Sequence, residues 1–257
     1  MNGEIITSLD NKVIKEARSL NDKKHRRFHG KFLVDGEKLV NEVVLGAMEV
    51  DKLFVDSSKL SNFGYILEHF DGEVVPVTTK VLNSISENVT PQGIIAEVFM
   101  RETGEFSHED DSPILILDRI QDPGNLGTII RTAAATGFRT IVLIDTVDSY
   151  SPKVVRSSSG GIFYTDIFRM SESEITSYCN KKGIELLIAD MGGENIFKTE
   201  IGHNNYALVI GNEGQGVSDG FKASGRAISL PMKDQMESLN AGISASVLMY
   251  TLMGKNI

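Results

Sequence analysis

Cysteine is nearly absent from this chain of 257 residues: Cys179 stands alone, so no intrachain disulfide can form. Long apolar runs are missing as well. No stretch approaches the roughly 18 consecutive apolar residues of a membrane span, and the opening MNGEIITSLDNK has no apolar segment of the kind a secretory leader needs. There is no internal repeat and no low-complexity tract. Positive charge is scarce overall, with 26 Lys and Arg against 35 Asp and Glu and a formal net charge of −9. The field of the whole molecule therefore repels a polyanion, and a nucleic-acid partner would have to be met by a local patch. What remains, 41% apolar and 24% charged residues, is the profile of a globular chain long enough for two ordinary domains. The expected compartment is the cytoplasm, with no membrane partner.

Such a patch lies near the start. Residues 12 to 31 carry Lys12, Lys15, Arg18, Lys23, Lys24, Arg26, Arg27 and Lys31 against only Glu16 and Asp22, with His25 and His29 alongside. The ordinary use of a charge run is a solvated helical face. His25 and His29 have the i, i+4 spacing of a helical metal pair, but no third ligand is near in sequence, so no metal is expected.

The polar, acidic stretch RETGEFSHEDDSP, residues 101 to 113, ends in proline and divides the chain as a linker would. Residues 1–100 then form a first domain and 114–257 a second. In the first, helical patterns around 10–27, 36–46, 58–69 and 78–84 alternate with the strand-like runs KFLVDG, VDKLFVD, EVVPV and GIIAEVF, which predicts a small α/β unit. In the second, ILILD, TIVLID, ELLIAD, YALVIG and AISLP are apolar throughout rather than alternating. Strands buried on both faces have that pattern, so a parallel sheet covered by helices is expected. Gly137 is placed to end one helix, Ser171 with Glu174 forms a capping-box pattern, and Gly183 follows Lys181 and Lys182 as a terminator. Cys179, in the helical SEITSYCNKK, is a packed residue rather than a nucleophile.

Ligands of open α/β sheets sit beyond the carboxyl ends of the strands, which directs attention to three loops. In DRIQDPGNLGTIIR, Asp122-Pro123-Gly124 makes a turn, Asn125 is a candidate N-cap, and Arg131, six residues and not quite two turns on, is expected on roughly the same side of the helix, a permanent charge among Ile129, Ile130 and Ala133. An arginine so placed faces a ligand, or it snorkels to the surface or pairs with an acid. In LVIGNEGQGVS the glycines at 211, 214 and 216 follow neither the dinucleotide fingerprint nor a Walker A loop, which argues against a nucleotide-dependent oxidoreductase. Glu213 could bring a carboxylate to a pocket there, where glycines let backbone approach a ligand. In ISLPMKDQMESLNAGISASVLMY, Ser238, Leu239 and Asn240 precede a helix whose small residues allow another backbone close by. The serines and glycines at 157–161 follow Lys153 and Arg156. They either touch phosphate or simply end a helix.

Taken in order, PGNLGTIIRTA, IGNEGQGVS and LPMKDQMESLNAGISASV resemble the three motifs of the SpoU (TrmH) family of RNA ribose 2′-O-methyltransferases, across residues 113 to 257. KFLVDGEKLVNEVV resembles the substrate-binding domain, of ribosomal-protein-like α/β fold, that precedes the catalytic domain in many members. The resemblance implies that the second domain is an α/β fold whose parallel sheet carries a deep trefoil knot, a rare exception to ordinary chain topology. It implies S-adenosylmethionine as methyl donor, held near Ile210, Gly211, Leu230, Met232 and Leu239, and a homodimer with its interface close to the active site. It also marks Asn125, Arg131, Glu213, Ser238 and Asn240 as catalytic-site residues. Beside an RNA-modifying domain, Lys12, Arg18, Lys23, Lys24, Arg26, Arg27, Lys31 and Arg156 become phosphate contacts. Two departures stand out: Asp234 where many members have glycine, and AGISAS, with Gly242, after Asn240.

The expected reaction is methylation of a ribose 2′-hydroxyl in structured RNA, foremost 23S ribosomal RNA, with transfer RNA or a catalytically silent RNA-binding role as alternatives. Because a guanidinium keeps its proton in proteins, Arg131 is expected to stabilise the reacting oxygen electrostatically rather than act as a base.

Overall fold

The computed structural model describes residues 4–101, 104–108, 112–202, 205–233 and 238–255. The chain divides into two compact units, Met1–Glu102 with Asp148–Phe163, and Thr103–Val147 with Tyr164–Ile257. The linear division drawn from the sequence leaves residues 148–163 with the second block, whereas their contacts group them with the first. An excursion of this kind has no compositional signature.

The first unit is built on a four-stranded sheet of β1 (Lys31–Asp35), β2 (Val50–Asp56), β3 (Glu73–Val77) and β4 (Ile94–Phe99), in the order β1-β4-β2-β3. β4 runs antiparallel to both neighbours, and β2 pairs with β3 in parallel. Helices α1 (Lys12–Ser19), α2 (Lys23–His29), α3 (Glu37–Glu42), α4 (Gly64–Glu68) and α5 (Thr79–Ile85) surround it. Ile14 and Ala17 of α1 and Val81, Leu82 and Ile85 of α5 pack in one apolar cluster with Leu33, Phe54, Val75 and Ile95 of the sheet. The helical pattern expected over 10–27 is divided in two. Asp22 caps α2 by accepting from the Lys24 N–H at 2.8 Å, a competing local bond that restarts the helix. A further helix, α7 (Pro152–Ser157), belongs to this unit and ends in a turn with Ser159 and Gly160 at positive φ. The hydroxyls of Ser157 and Ser158 donate to carbonyls of α7 itself, the helix-ending alternative for the 157–161 stretch.

In the second unit β5 (Ile114–Asp118), β6 (Thr140–Ile144), β7 (Asp166–Arg169), β8 (Glu185–Asn195), β9 (Tyr206–Ile210) and β10 (Arg226–Ser229) form one sheet in the order β10-β8-β9-β5-β6-β7. Every pairing is parallel. α6 (Pro123–Thr136), α8 (Glu172–Lys182), α9 (Asp219–Ser224) and α10 (Ala241–Lys255) complete it. β5, β6 and β9 are buried at every position, as their unbroken apolar runs require. Ile114 and Ile116 join Val142, Val209, Ile175, Cys179 and Phe221 in a core on one face, and the alternation of strand side chains turns Leu115 and Leu117 to the other. The sheet has a strand that the apolar-run signal does not find: β7, Asp-Ile-Phe-Arg, lies at the edge and is only partly buried.

Helix ends follow their chemistry. Gly137 and Gly183 close α6 and α8 in the left-handed region, and Ser171 with Glu174 forms a reciprocal capping box. In the stretch read as a linker, Phe106 packs edge-on against Phe168 and Tyr178, and the Tyr178 hydroxyl accepts from the His108 N–H at 3.0 Å. That part of the segment is anchored to the second unit. Among the described residues no helix is long and apolar enough to cross a membrane.

Candidate active site

The middle of β8 and the carboxyl ends of β9 and β10 border a cleft of about 320 Å³. Its walls include Ile210, Gly211, Leu230, Met232 and Leu239, the five residues expected near the cofactor, together with Glu213 and Ser238. Asp234 lies outside the described residues.

α6 brings the first polar group to this place. Its N-cap is Asp122, whose Oδ1 accepts from the Asn125 N–H at 2.7 Å, with Pro123 opening the helix. This corrects the expectation that Asn125 caps the helix: Pro123 has no N–H to lose and favours the first helical position, so the cap falls on the residue before it. Asn125 thus lies inside the first turn with its side-chain amide free of capping duty. Asn125 Nδ2 donates to Glu213 Oε1 at 2.6 Å, and its Oδ1 accepts from Asn240 Nδ2 at 2.9 Å. Asn240 in turn accepts the Ile243 N–H at 3.2 Å through its own Oδ1, holding the start of α10. The chain of bonds Asn240–Asn125–Glu213 joins three loops through both polar ends of one amide.

Close packing makes that meeting possible. A Cβ on Gly242 would stand 3.2 Å from Asn240 Oδ1 and 3.4 Å from Asn125 Oδ1, tighter than an alanine accommodates without movement of the amides. Farther along, Thr132 Oγ1 and Ser246 Oγ share a hydrogen bond of 2.9 Å, fastening α6 to α10. Arg131 is exposed on α6 and is not among the residues lining the cleft. At 3.6 residues per turn it lies about 120° around the helix from Asn125. The structure thus joins Asn125, Glu213 and Asn240 directly and sets Ser238 in the cleft wall, and it corrects the expectation that Arg131 shares a side with Asn125, because six residues at 100° each leave them about 120° apart.

The loop after β9 is shaped by its own residues. Asn212 and Gly216 exchange backbone hydrogen bonds of 3.1 and 2.9 Å, and Asn212 Oδ1 accepts from the N–H groups of Gly214 and Gln215. A Cβ at Gly211 would lie 2.3 Å from the Gly216 carbonyl carbon, so only glycine permits this fold-back.

Residues not singled out from the sequence hold the loop in place. Arg119, at φ 60°, donates to Gln215 Oε1 at 2.9 Å and to the Gly216 carbonyl at 3.2 Å while paired with the buried Asp118. Asp118 Oδ2 also accepts the Ser218 N–H at 2.7 Å, and Asn212 Nδ2 donates to the Arg119 carbonyl at 3.0 Å. In the cleft wall, Asp190 pairs with Lys222 at 3.0 Å. The Gly192 N–H, followed by Lys222, holds its carboxyl below the usual range. Asp118 ends β5 and Asp190 ends the apolar run ELLIAD within β8, so attention to the last residue of each apolar run could have flagged both.

The basic run is divided by the fold. Lys12, Arg18, Lys23, Lys24, Arg27 and Arg156 are exposed, with Arg156 donating to Asn88 Oδ1. Arg26 and Lys31 are corrected. Arg26 is 3% exposed, and its guanidinium donates to the carbonyls of Leu20 and Asn21, both at 2.7 Å, and to Asp148 Oδ2 at 2.6 Å. Lys31 Nζ sits between Asp51 Oδ2 at 2.8 Å and Glu97 Oε1 at 2.9 Å. Burial alone would lower its pKa, but the hydrogen bonds to the two carboxylates outweigh that and raise it. Neither cation is available to a phosphate. His25 and His29 stack with ring centroids 6.3 Å apart, and among the described residues no cluster of three or more His, Cys, Asp and Glu is arranged to hold a metal.

Comparison with known proteins brings a family into view. Residues 112–250 match the SpoU rRNA Methylase family, and residues 11–96 match an MRM3-like substrate binding domain. The chain is 29% identical to the 23S rRNA (guanosine(2553)-2′-O)-methyltransferase RlmP of Bacillus subtilis, over 97% of this chain and 99% of that protein. It is 33% identical to an uncharacterized tRNA/rRNA methyltransferase of Synechocystis, over 95% of this chain and 92% of that one. An AdoMet-bound rRNA methyltransferase structure from Sinorhizobium meliloti superposes with a TM-score of 0.86 at 26% identity, covering 99% of this chain and 98% of the other.

Proposed function

The chain belongs to the SpoU rRNA methylase family, and we propose that it transfers a methyl group from S-adenosylmethionine to a ribose 2′-hydroxyl of 23S ribosomal RNA. The observation that carries this is the hydrogen-bonded meeting of Asn125, Glu213 and Asn240 at the cleft beyond the strand ends.

The cleft suits the methyl donor. Its volume of about 320 Å³ is within the range of small-ligand sites. Ile210, Leu230, Met232 and Leu239 offer apolar walls to the base and thioether chain, and Glu213 and Asp190 set carboxylates against a ligand that carries positive charge. The bound sulfonium supplies the methyl group. The protein aligns the ribose oxygen and eases loss of its proton. Arg131 holds the phosphate and sugar of the target nucleotide and stabilises the oxygen as it becomes more negative, the proton passing to phosphate or water. Asn125, with Asn240 and Glu213, fixes the start of α6 and so the direction of that arginine, and Ser238 shapes the adjoining wall.

Two further parts of this reading rest on the fold. The trefoil knot accords with a strand order in which β9 enters between β8 and β5 and β10 returns outside β8. A homodimer is supported by Ile243, Val247 and Tyr250, exposed large side chains at helical spacing along one side of α10. The Thr132–Ser246 bond brings α6, and with it Arg131, beside that stripe. An rRNA substrate and a single unpaired cysteine are both at home in the cytoplasm.

The test is direct. Purified protein is incubated with methyl-labelled S-adenosylmethionine and 23S rRNA or transfer RNA, and the digested nucleosides are separated. A labelled 2′-O-methyl nucleoside from 23S rRNA is the expected product; label on a base, or on transfer RNA alone, overturns the assignment.

A further inference from the structure

We propose that α2 is a stacking platform for an unpaired RNA base, with Phe28 as the platform and Lys24 and Arg27 as its phosphate contacts; the proposal rests on the RNA-methyltransferase reading and deepens it.

Phe28 is 82% exposed, the most exposed aromatic among the described large hydrophobic residues. An aromatic ring left in water on a short helix is unusual, because burial is its ordinary source of stabilisation. It is also held rigidly. α2 is fixed at its start by the Asp22 cap and at its end by Gly30 at φ 64°. Between them the buried Arg26 guanidinium pins the helix to the carbonyls of Leu20 and Asn21 and to Asp148. At 100° per residue, Phe28 points almost directly away from Arg26, Lys24 lies one turn before it on the same outward face, and Arg27 and His25 flank them. The His29 ring, 5.0 Å away and edge-on at 90°, braces the phenyl ring from its own helix.

Charge chooses the occupant. A protein with a formal net charge of −9 puts exposed Lys23, Lys24 and Arg27 on the same short helix as this ring, so the helix complements a polyanion that also offers a flat apolar surface. A single-stranded RNA segment has both features at once, whereas a duplex keeps its bases stacked inside and offers phosphate alone.

The experiment uses the full chain, a 12-nucleotide single-stranded RNA carrying 2-aminopurine, and a blunt RNA duplex of equal length. The parent protein is expected to bind the single strand with quenching of 2-aminopurine. Phe28→Ala should weaken that binding roughly tenfold, as loss of a base stack does, and abolish the quench, with duplex affinity and melting temperature unchanged. Phe28→Trp should restore both. Lys24→Ala should flatten the dependence of log affinity on log salt by about 0.7 and keep the quench. Phe28→Ala that binds and quenches like the parent overturns the platform, as does equal loss of single-strand and duplex binding. Methyl transfer measured in parallel separates the two readings: a parent that quenches through Phe28 yet transfers no methyl group upholds the platform and overturns the methyltransferase assignment.

Discussion

The run of residues 12 to 31 and the bonded group at Asn125 are both dense in chemistry-bearing side chains, yet they relate to the chain in opposite ways. In the run, eight cations lie close together in sequence, and the fold divides them. Arg26 turns inward and holds α2, Lys31 bridges two carboxylates, and the exposed remainder faces water. In the bonded group, residues 88 and 115 positions apart meet at 2.6 and 2.9 Å. The contrast has a geometric cause. A helix rotates successive residues by 100°, so a contiguous run must point in all directions, whereas a parallel sheet gathers every strand's carboxyl end on one edge, so distant loops become neighbours.

The largest effect that would sharpen this contrast is expected at Arg131. Arg131→Ala should lower the methyl-transfer rate on the order of 10²- to 10³-fold with cofactor affinity, read by calorimetry, within about twofold of the parent; a parental rate would remove the arginine from the chemistry. Next comes Arg26→Ala, which strips the partners of a buried cation and should cost about 3 kcal/mol in urea unfolding. Arg18→Ala, in the same run but exposed, should leave the urea midpoint unchanged and weaken RNA binding. Equal effects from the two would erase the distinction between structural and solvent-facing cations.

A smaller effect belongs to the amide pair. A double-mutant cycle of Asn125→Ala and Asn240→Ala should return a coupling of about 1 kcal/mol in stability, and independent additivity would mean that the two side chains do not meet. The least effect is reserved for Cys179. Burial pushes its thiol up to about 11, so the reactive thiolate is scarce below that pH. The native protein should resist a thiol reagent at pH 8, react faster as pH approaches 11, and label fully once unfolded; rapid labelling at pH 8 would contradict its place in the core.

The same contrast explains what could be read in advance. Strands buried on both faces announce themselves by unbroken apolar runs, so β5, β6 and β9 were legible, while β7, an edge strand of Asp-Ile-Phe-Arg, carried no such signal. Helix termini were legible wherever glycine or a Ser/Glu box marked them. The cap of α6 was not, because Asp122 and Asn125 are both good capping residues and only the proline between them decides. Arg119 escaped notice because its role depends on a partner loop 96 positions away in sequence.

The sequence by itself determined the strands buried on both faces, the helix ends marked by glycine or a capping box, the chemistry available in three loops, and the family, since these follow from local pattern and residue type. Only the tertiary structure decided which cations remain free, that Asn125 serves as a double-ended amide rather than a cap, and that Phe28 is left in water. Each of those outcomes depends on what lies across a helix or beyond a strand end, and packing sets that through contacts between residues far apart in the chain.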